Sequence, residues 1–157
     1  MEPCVLTTMT NLLGPLWLCA TETGLCGLGF GESPSPAEVR RLARYGIAAP
    51  LAGDSVVLQT AVAQLADYFE RRLQVFDVPL DLRGTPFQRA VWAELLTIPY
   101  RKTLTYGEIA MEVEHPRAFQ AVGQAVGANP VAIIVPCHRV VGRNGALTGY
   151  AAGVERK

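Results

Sequence analysis

The chain has 157 residues, half of them hydrophobic, and its fourteen basic and fourteen acidic side chains cancel. That length supports one compact domain or two small packed ones. It excludes a membrane-spanning chain, because no apolar run nears the ~18–20 residues a span needs, and zero net charge argues against a uniformly basic nucleic-acid binder.

The N-terminus carries Glu2 and no basic segment before its first apolar stretch, which argues against a secretory leader. Val5–Met9, Leu16–Ala20 and Leu25–Phe30 are short apolar runs separated by turn residues at Asn11–Pro15 and Glu22–Gly24, as expected of a small antiparallel sheet. Residues 31–36 read as a loop. Ala37–Tyr45 reads as a helix stopped by Gly46, and 47–54 as a second loop. Leu58, Val62, Leu65, Phe69 and Leu73 recur at helical spacing, predicting an amphipathic helix over 55–73. The reading is an α/β N-terminal domain over 1–76, then a linker over 77–84 containing Pro79 and Gly84.

From residue 85 to 157 the pattern is mainly helical. Thr85-Pro86-Phe87-Gln88 supplies an N-cap, a first-position proline and a capping-box glutamine. Phe87, Val91, Leu95 and Ile98 form one face, and Pro99 ends the helix. Thr105-Tyr106-Gly107-Glu108 is a second capping box, opening a helix to about Val113. His115-Pro116 makes a turn, and a third helix runs from Arg117 to about Ala128. Two short helices across a tight turn predict a helix-turn-helix. Val131–Val135 reads as a buried strand with Cys137 just past its end.

Charge is unevenly shared. Residues 1–82 hold five Lys/Arg and nine Asp/Glu, and residues 83–157 hold nine and five. The second half is therefore the one suited to phosphates. It also holds Pro136-Cys137-His138-Arg139. A buried cysteine is ordinarily inert core, whereas one flanked by His and Arg can have its thiolate stabilised, and thiolate is the reactive form. Both readings fit the tetrapeptide alone. The third helix is rich in small residues, which suits either close approach to a groove or tight helix packing.

Wider context separates these readings. Tyr106-Gly107-Glu108-Ile109-Ala110, Ala121-Val122-Gly123-Gln124-Ala125, Asn129-Pro130, Ile134–Gly142 around Pro-Cys-His-Arg-Val, and Leu147–Ala151 together resemble the O6-alkylguanine-DNA alkyltransferases. The resemblance is strong from about Phe87 onward and weaker through Thr7-Thr8, Gly14-Pro15 and Gly24–Leu28. It implies a ribonuclease-H-like first domain and a winged-helix-like second one. It also implies stoichiometric, irreversible transfer of an alkyl group from guanine O6 to Cys137. Tyr106 would donate a proton or hydrogen bond to the leaving guanine, His138 would reach the thiol through water, and Asn129 would brace the turn beneath it. Pro130, Val140, Gly149 and Tyr150 would line the base pocket, and residues 142–149 would close over it. Thr105, Arg117, Gln120, Ala121, Gly123, Gln124 and Arg139 would meet DNA. The implied partner is double-stranded DNA, entered from the minor groove with a flipped guanine, by a cytoplasmic monomer that uses no cofactor.

Cys4, Cys19 and Cys26 sit in the first half, with no Cys-x-x-Cys pair and no disulfide framework, as suits a reducing compartment. Some family members carry a structural zinc in this domain. Here the spacing fits no common zinc pattern, both histidines (His115 and His138) lie in the second half, and buried thiols are expected instead.

Two departures from the family stand out. Gln120 occupies the place of an arginine that enters the base stack, and glutamine has neither its charge nor its guanidinium plane. In the family a glutamate that orients the active-site histidine follows the position of Lys157, where this sequence stops. Two rival functions remain: a lesion-binding relative that performs no transfer, and a Cys-His hydrolase, which would need His138 directly on the thiol.

Overall fold

The computed structural model describes residues 1–142, in two compact units, Met1–Arg83 and Gly84 onward. In the first unit β1 (Val5–Asn11), β2 (Gly14–Ala20) and β3 (Leu25–Phe30) form an antiparallel meander. The β1–β2 hairpin closes on Asn11 and Gly14, with Gly14 at φ +98°, a left-handed conformation that glycine adopts without strain. A two-residue strand, β4 (Leu51–Ala52), adds to the outer edge of β1 in parallel, giving the order β3-β2-β1-β4.

The sheet is therefore mixed, where the sequence suggested a purely antiparallel one. The cause is local. Leu51 donates to Cys4 O at 3.0 Å and Gly53 to Leu6 O at 3.1 Å, satisfying backbone carbonyls along the edge of β1. A two-residue strand is too short to leave an alternation in the sequence, so 47–54 read as loop.

Helix α1 (Pro36–Arg44) starts on a full Ser35–Glu38 capping box and stops before Gly46 at φ +86°. Helix α2 (Val56–Phe69) is capped by Ser55 and buries Leu58, Ala61 and Leu65. It ends four residues before the predicted stop, because Arg71 takes a left-handed φ of +63°. The run Leu16–Ala20 is wholly buried. Trp17 and Cys19, two apart in β2 and so on one face, join Cys4, Cys26, Leu42 and Ile47 in one cluster.

The segment expected as a linker is tied to this unit. Leu25 donates to Pro79 O and Asp81 to Leu25 O, both at 2.8 Å. The Asp81 carboxylate accepts from Thr21 Oγ1 at 2.5 Å and from Arg83 Nη2 at 3.0 Å. Arg83 also reaches Tyr45 O and the Glu2 carboxylate. Burial opposes the Asp81 charge, yet the bonds from Arg83 and Thr21 hold its carboxyl below the ordinary range.

The second unit contains α3 (Pro86–Leu95), β5 (Leu104–Thr105), α4 (Tyr106–Glu112), α5 (Phe119–Gly127), a 3-10 turn (Cys137–Arg139) and β6 (Val140–Val141). Both capping boxes form as read. The three helices pack on one another around Val91, Trp92, Leu95, Ile109, Val122 and Val126. Trp92 Nε1 donates to Ala125 O at 2.8 Å, pinning α3 to α5. Strands β5 and β6 pair in parallel, Leu104 with Val140 and Thr105 with Val141.

Candidate active site

Val131–Val135 is not the expected strand. Its amides turn back on themselves: Ile134 donates to Ala132 O at 2.7 Å and Val135 to Val131 O at 3.1 Å. Ile133 sits at φ +69°, an uncommon and strained region for a β-branched residue. The side chain of Asn129 holds the coil from inside. Its Oδ1 accepts from Val131 N at 3.0 Å, and its Nδ2 donates to Val135 O at 2.8 Å. The apolar character of the run reflects burial of Val131, Ile133, Ile134 and Val135, not a sheet position.

The chain then enters Pro136-Cys137-His138-Arg139. Cys137 N donates to Val135 O at 2.8 Å and Arg139 N to Pro136 O at 2.9 Å, which tightens the tetrapeptide into a 3-10 turn. Cys137, expected just past the end of a strand, thus stands in a 3-10 turn. Cys137 is partly exposed, whereas Cys4, Cys19 and Cys26 are buried. A nucleophile must be reachable, so access singles out Cys137 among the four thiols.

Other residues named from the sequence are distributed around this turn. Tyr106 opens α4, directly after Thr105, whose side chain caps the helix by accepting from Glu108 N. The β5–β6 ladder couples Thr105 to Val141, so Tyr106 and the cysteine turn flank one two-stranded element. Val140 is fully buried. Arg139 is turned inward: Nη1 donates to Ile98 O at 2.7 Å, and its guanidinium lies 5.7 Å from the Tyr100 ring centroid. Gly149, Tyr150 and the expected closing loop fall outside the described residues, apart from Gly142.

Helix α5 presents Phe119, Gln120, Ala121, Gln124 and Gly127 on its exposed side, with Arg117 exposed just before it. A Cβ built on Gly123 would meet nothing within 4 Å, so this face is open as well as small. Phe119 is 53% exposed, and its ring lies close to Gly107 of α4. A cavity of about 390 Å³ in the same unit is lined by Glu94, Ile98, Lys102, Glu108 and Met111 among others, and by none of the residues named for chemistry.

Sequence reasoning missed three supports of the cysteine turn: Ile133 with its left-handed backbone, and Ile98 and Tyr100 as the seat of Arg139. No short-range signal marks them, because each acts through a contact distant in sequence or through backbone conformation.

In the first unit the three buried cysteines converge. Cys4 Sγ and Cys19 Sγ each lie 3.6 Å from Cys26 Sγ. Hydrogen-bond sharing with Cys19 and Cys26 lowers the Cys4 thiol, while Cys19 is pushed up by the same sharing and by burial. Tetrahedral zinc wants four ligands. Among the described residues no fourth Cys, His, Asp or Glu joins the three.

Taken together, the second unit is a small helical domain with an open, small-residue helix and one accessible cysteine in a braced turn, joined to a sheet-and-helix domain. Residues 5–82 match the model of the 6-O-methylguanine DNA methyltransferase ribonuclease-like domain, and residues 86–157 match that of the 6-O-methylguanine DNA methyltransferase DNA-binding domain. A methylated-DNA–protein-cysteine methyltransferase of Mycobacterium bovis is 61% identical over 97 residues. That alignment covers 62% of this chain and 59% of that protein, less than two thirds of its length. One from Methanosarcina barkeri is 43% identical over 92% of this chain and 87% of its own. In structure, the chain is similar to an O6-methylguanine methyltransferase of Mycobacterium tuberculosis, with a TM-score of 0.81 and 44% identity over 98% of this chain and 87% of that one. A Mycobacterium tuberculosis OGT in complex with DNA aligns with a TM-score of 0.80 and 46% identity, covering 96% and 86%. The chain belongs to the 6-O-methylguanine DNA methyltransferase family.

Proposed function

We propose that this protein repairs DNA by moving an alkyl group from O6 of guanine to Sγ of Cys137, once per molecule. The observation that carries the reading is the access of Cys137, in a turn held by Asn129, in a chain of this family. The Cys137 thiolate attacks the alkyl carbon in line with the C–O6 bond. A C–S bond forms, the C–O bond breaks, and its electron pair leaves with guanine. Tyr106 donates a proton or hydrogen bond to the base as that charge develops. His138 takes the thiol proton through a water. The thioether is not cleaved by water, so the protein is consumed.

DNA is met from the minor groove by the open face of α5, with α4 and α5 acting as a helix-turn-helix. The target base leaves the stack to reach the thiol, against Pro130 and Val140 and, beyond the described residues, Gly149 and Tyr150. Phosphates are met by Thr105 and Arg117, and the groove by Gln120, Ala121, Gly123 and Gln124. Arg139, with its guanidinium on Ile98 O and Tyr100, positions the turn. A single chain supplies every group, so the working unit is a monomer, and a thiol that must stay reduced suits the cytoplasm. The domain division follows the same reading, with the alkyl acceptor in the unit from residue 85 onward.

Incubation with a duplex carrying O6-methylguanine, followed by intact-mass and peptide mapping, tests this. One methyl group on Cys137, and none in Cys137→Ser, is expected. Tight lesion binding without an adduct would make the protein a lesion-recognition relative, and repeated turnover would make it a hydrolase.

A further inference from the structure

Cys4, Cys19 and Cys26 take no part in that chemistry, yet the fold gathers them. Cys19 pairs with Gly27 and Ala20 with Leu25, so Cys26 is the extra residue of a bulge in β3. Strict alternation would send Cys26 to the opposite face from Gly27. The bulge re-aims it, and it joins Cys19 and Cys4 in the same cluster. Gly27 keeps the space clear: a Cβ there would come 2.8 Å from Cys19 Sγ.

All three sulfurs lie within 4.8 Å of one another, with two separations of 3.6 Å. The point equidistant from such a triangle is about 2.1–2.4 Å from each sulfur, which spans the ~2.3 Å of a metal–thiolate bond. The exposures of Cys4, Cys19 and Cys26 are 4%, 0% and 2%, so water does not complete a coordination shell. Asp81, the nearby carboxylate that acts on Cys4 and Cys26, is already engaged by Thr21 and Arg83.

We propose that Cys4, Cys19 and Cys26 form a closed three-sulfur site for a soft monovalent cation, Cu(I). Thiolates select soft cations, and a site with three ligands and no open fourth position disfavours zinc. Binding exchanges S–H protons for the cation and transfers no electrons. It cross-links the start of β1 to β2 and β3, so it should stabilise the first unit. Cys137→Ala leaves these three as the only thiols and removes transfer, which makes this test independent of the reading above.

Anaerobic titration of the full-length Cys137→Ala protein with Cu(I), against a chromogenic Cu(I) chelator, should give one equivalent bound and an ultraviolet thiolate-to-copper band. The thermal midpoint should rise by about 5–16 °C when free Cu(I) exceeds Kd a hundredfold to a thousandfold. Cys19→Ser should weaken binding at least a hundredfold. Should that variant fold poorly, X-ray absorption on the unsubstituted site still decides, with three sulfur neighbours expected at ~2.3 Å. No bound copper, undiminished binding in a folded Cys19→Ser protein, oxygen or nitrogen neighbours, or tighter retention of Zn(II) than of Cu(I) would each overturn the assignment.

Discussion

Replacing Asn129 with alanine removes two hydrogen bonds at once and fills neither gap. Val131 N and Val135 O, both on fully buried residues, would lose their side-chain partner. Val131 N is left unmade, which costs about 1–3 kcal/mol, while Val135 O keeps Cys137 N and loses one of its two bonds, about 0.5–1.5 kcal/mol, so the change should cost about 1.5–4.5 kcal/mol. That is a large share of the ~5–15 kcal/mol that holds a typical domain together. The coil is already strained at Ile133, so it has little tolerance for losing its brace. The damage passes directly to Cys137, whose amide hangs from the same Val135 carbonyl at 2.8 Å. Denaturant unfolding followed by amide exchange should show the loss, with Val131 N–H exchanging fastest relative to the parent protein. Single-turnover transfer should fall by about tenfold to a hundredfold, the scale of a misplacement near 1 Å. Asn129→Asp keeps the acceptor for Val131 N–H but sets an oxygen against Val135 O, so it should also be impaired. A stability change under ~1 kcal/mol, with transfer unaltered in Asn129→Ala, would show that the bracket does not hold the nucleophile.

Trp92→Phe keeps an aromatic ring in the core but leaves the Ala125 carbonyl without its indole donor. It should cost about 1–3 kcal/mol, read as a lower denaturation midpoint for the second unit; no loss would mean that a water replaces the donor. Asp81 gives a pH prediction. Its carboxyl lies below the ordinary range in the folded chain, so its stabilising contribution is present above the unfolded value of ~3.9 and is lost as pH falls through the lower folded value. Asp81→Asn should therefore flatten the acid limb of a stability–pH curve, and an unchanged limb would assign acid unfolding elsewhere. Gln120→Arg should speed repair of duplex DNA by up to about tenfold, offsetting part of the few kcal/mol that base extrusion costs. Reaction with a free alkylguanine base should be unchanged, and equal acceleration of both would refute a role in extrusion.

Local chemistry was the readable part of this fold. Thr85 and Thr105 cap helices because each bonds an amide three residues on, and such spacings are visible in sequence; Ser35 caps α1 in the same way, within a stretch that read as loop. The small helix and the Pro-Cys-His-Arg tetrapeptide were equally visible. Val131–Val135 misled because β-branched residues suit strands and buried coils alike. Burial decides their composition, and the Asn129 bracket decides their shape. The mixed sheet was hidden because β4 is two residues long. Convergence of the cysteines was hidden because it depends on a bulge at Cys26, and a one-residue shift changes which face a side chain meets. Arg139 read as a DNA contact from its motif, while its bond to Ile98 O spans forty-one residues and leaves no trace nearby.

Those inward contacts bear on how the proposed repair chemistry can tolerate any sequence context. A protein that reads bases needs charged or amide side chains aimed at base edges. The open face of α5 offers Gln120 and Gln124, with Arg117 just ahead of it and Ala121, Gly123 and Gly127 between, and Arg139 is turned away onto Tyr100. Such a face can approach a groove closely while distinguishing little within it. Discrimination then falls to the chemistry. Normal guanine has no alkyl carbon at O6 for a thiolate to attack, so an extruded undamaged base returns unchanged. The fold invests its strain and its buried hydrogen bonds in holding one partly exposed thiol in a turn braced by Asn129 and Arg139, and leaves the helix proposed to meet DNA small and uncharged.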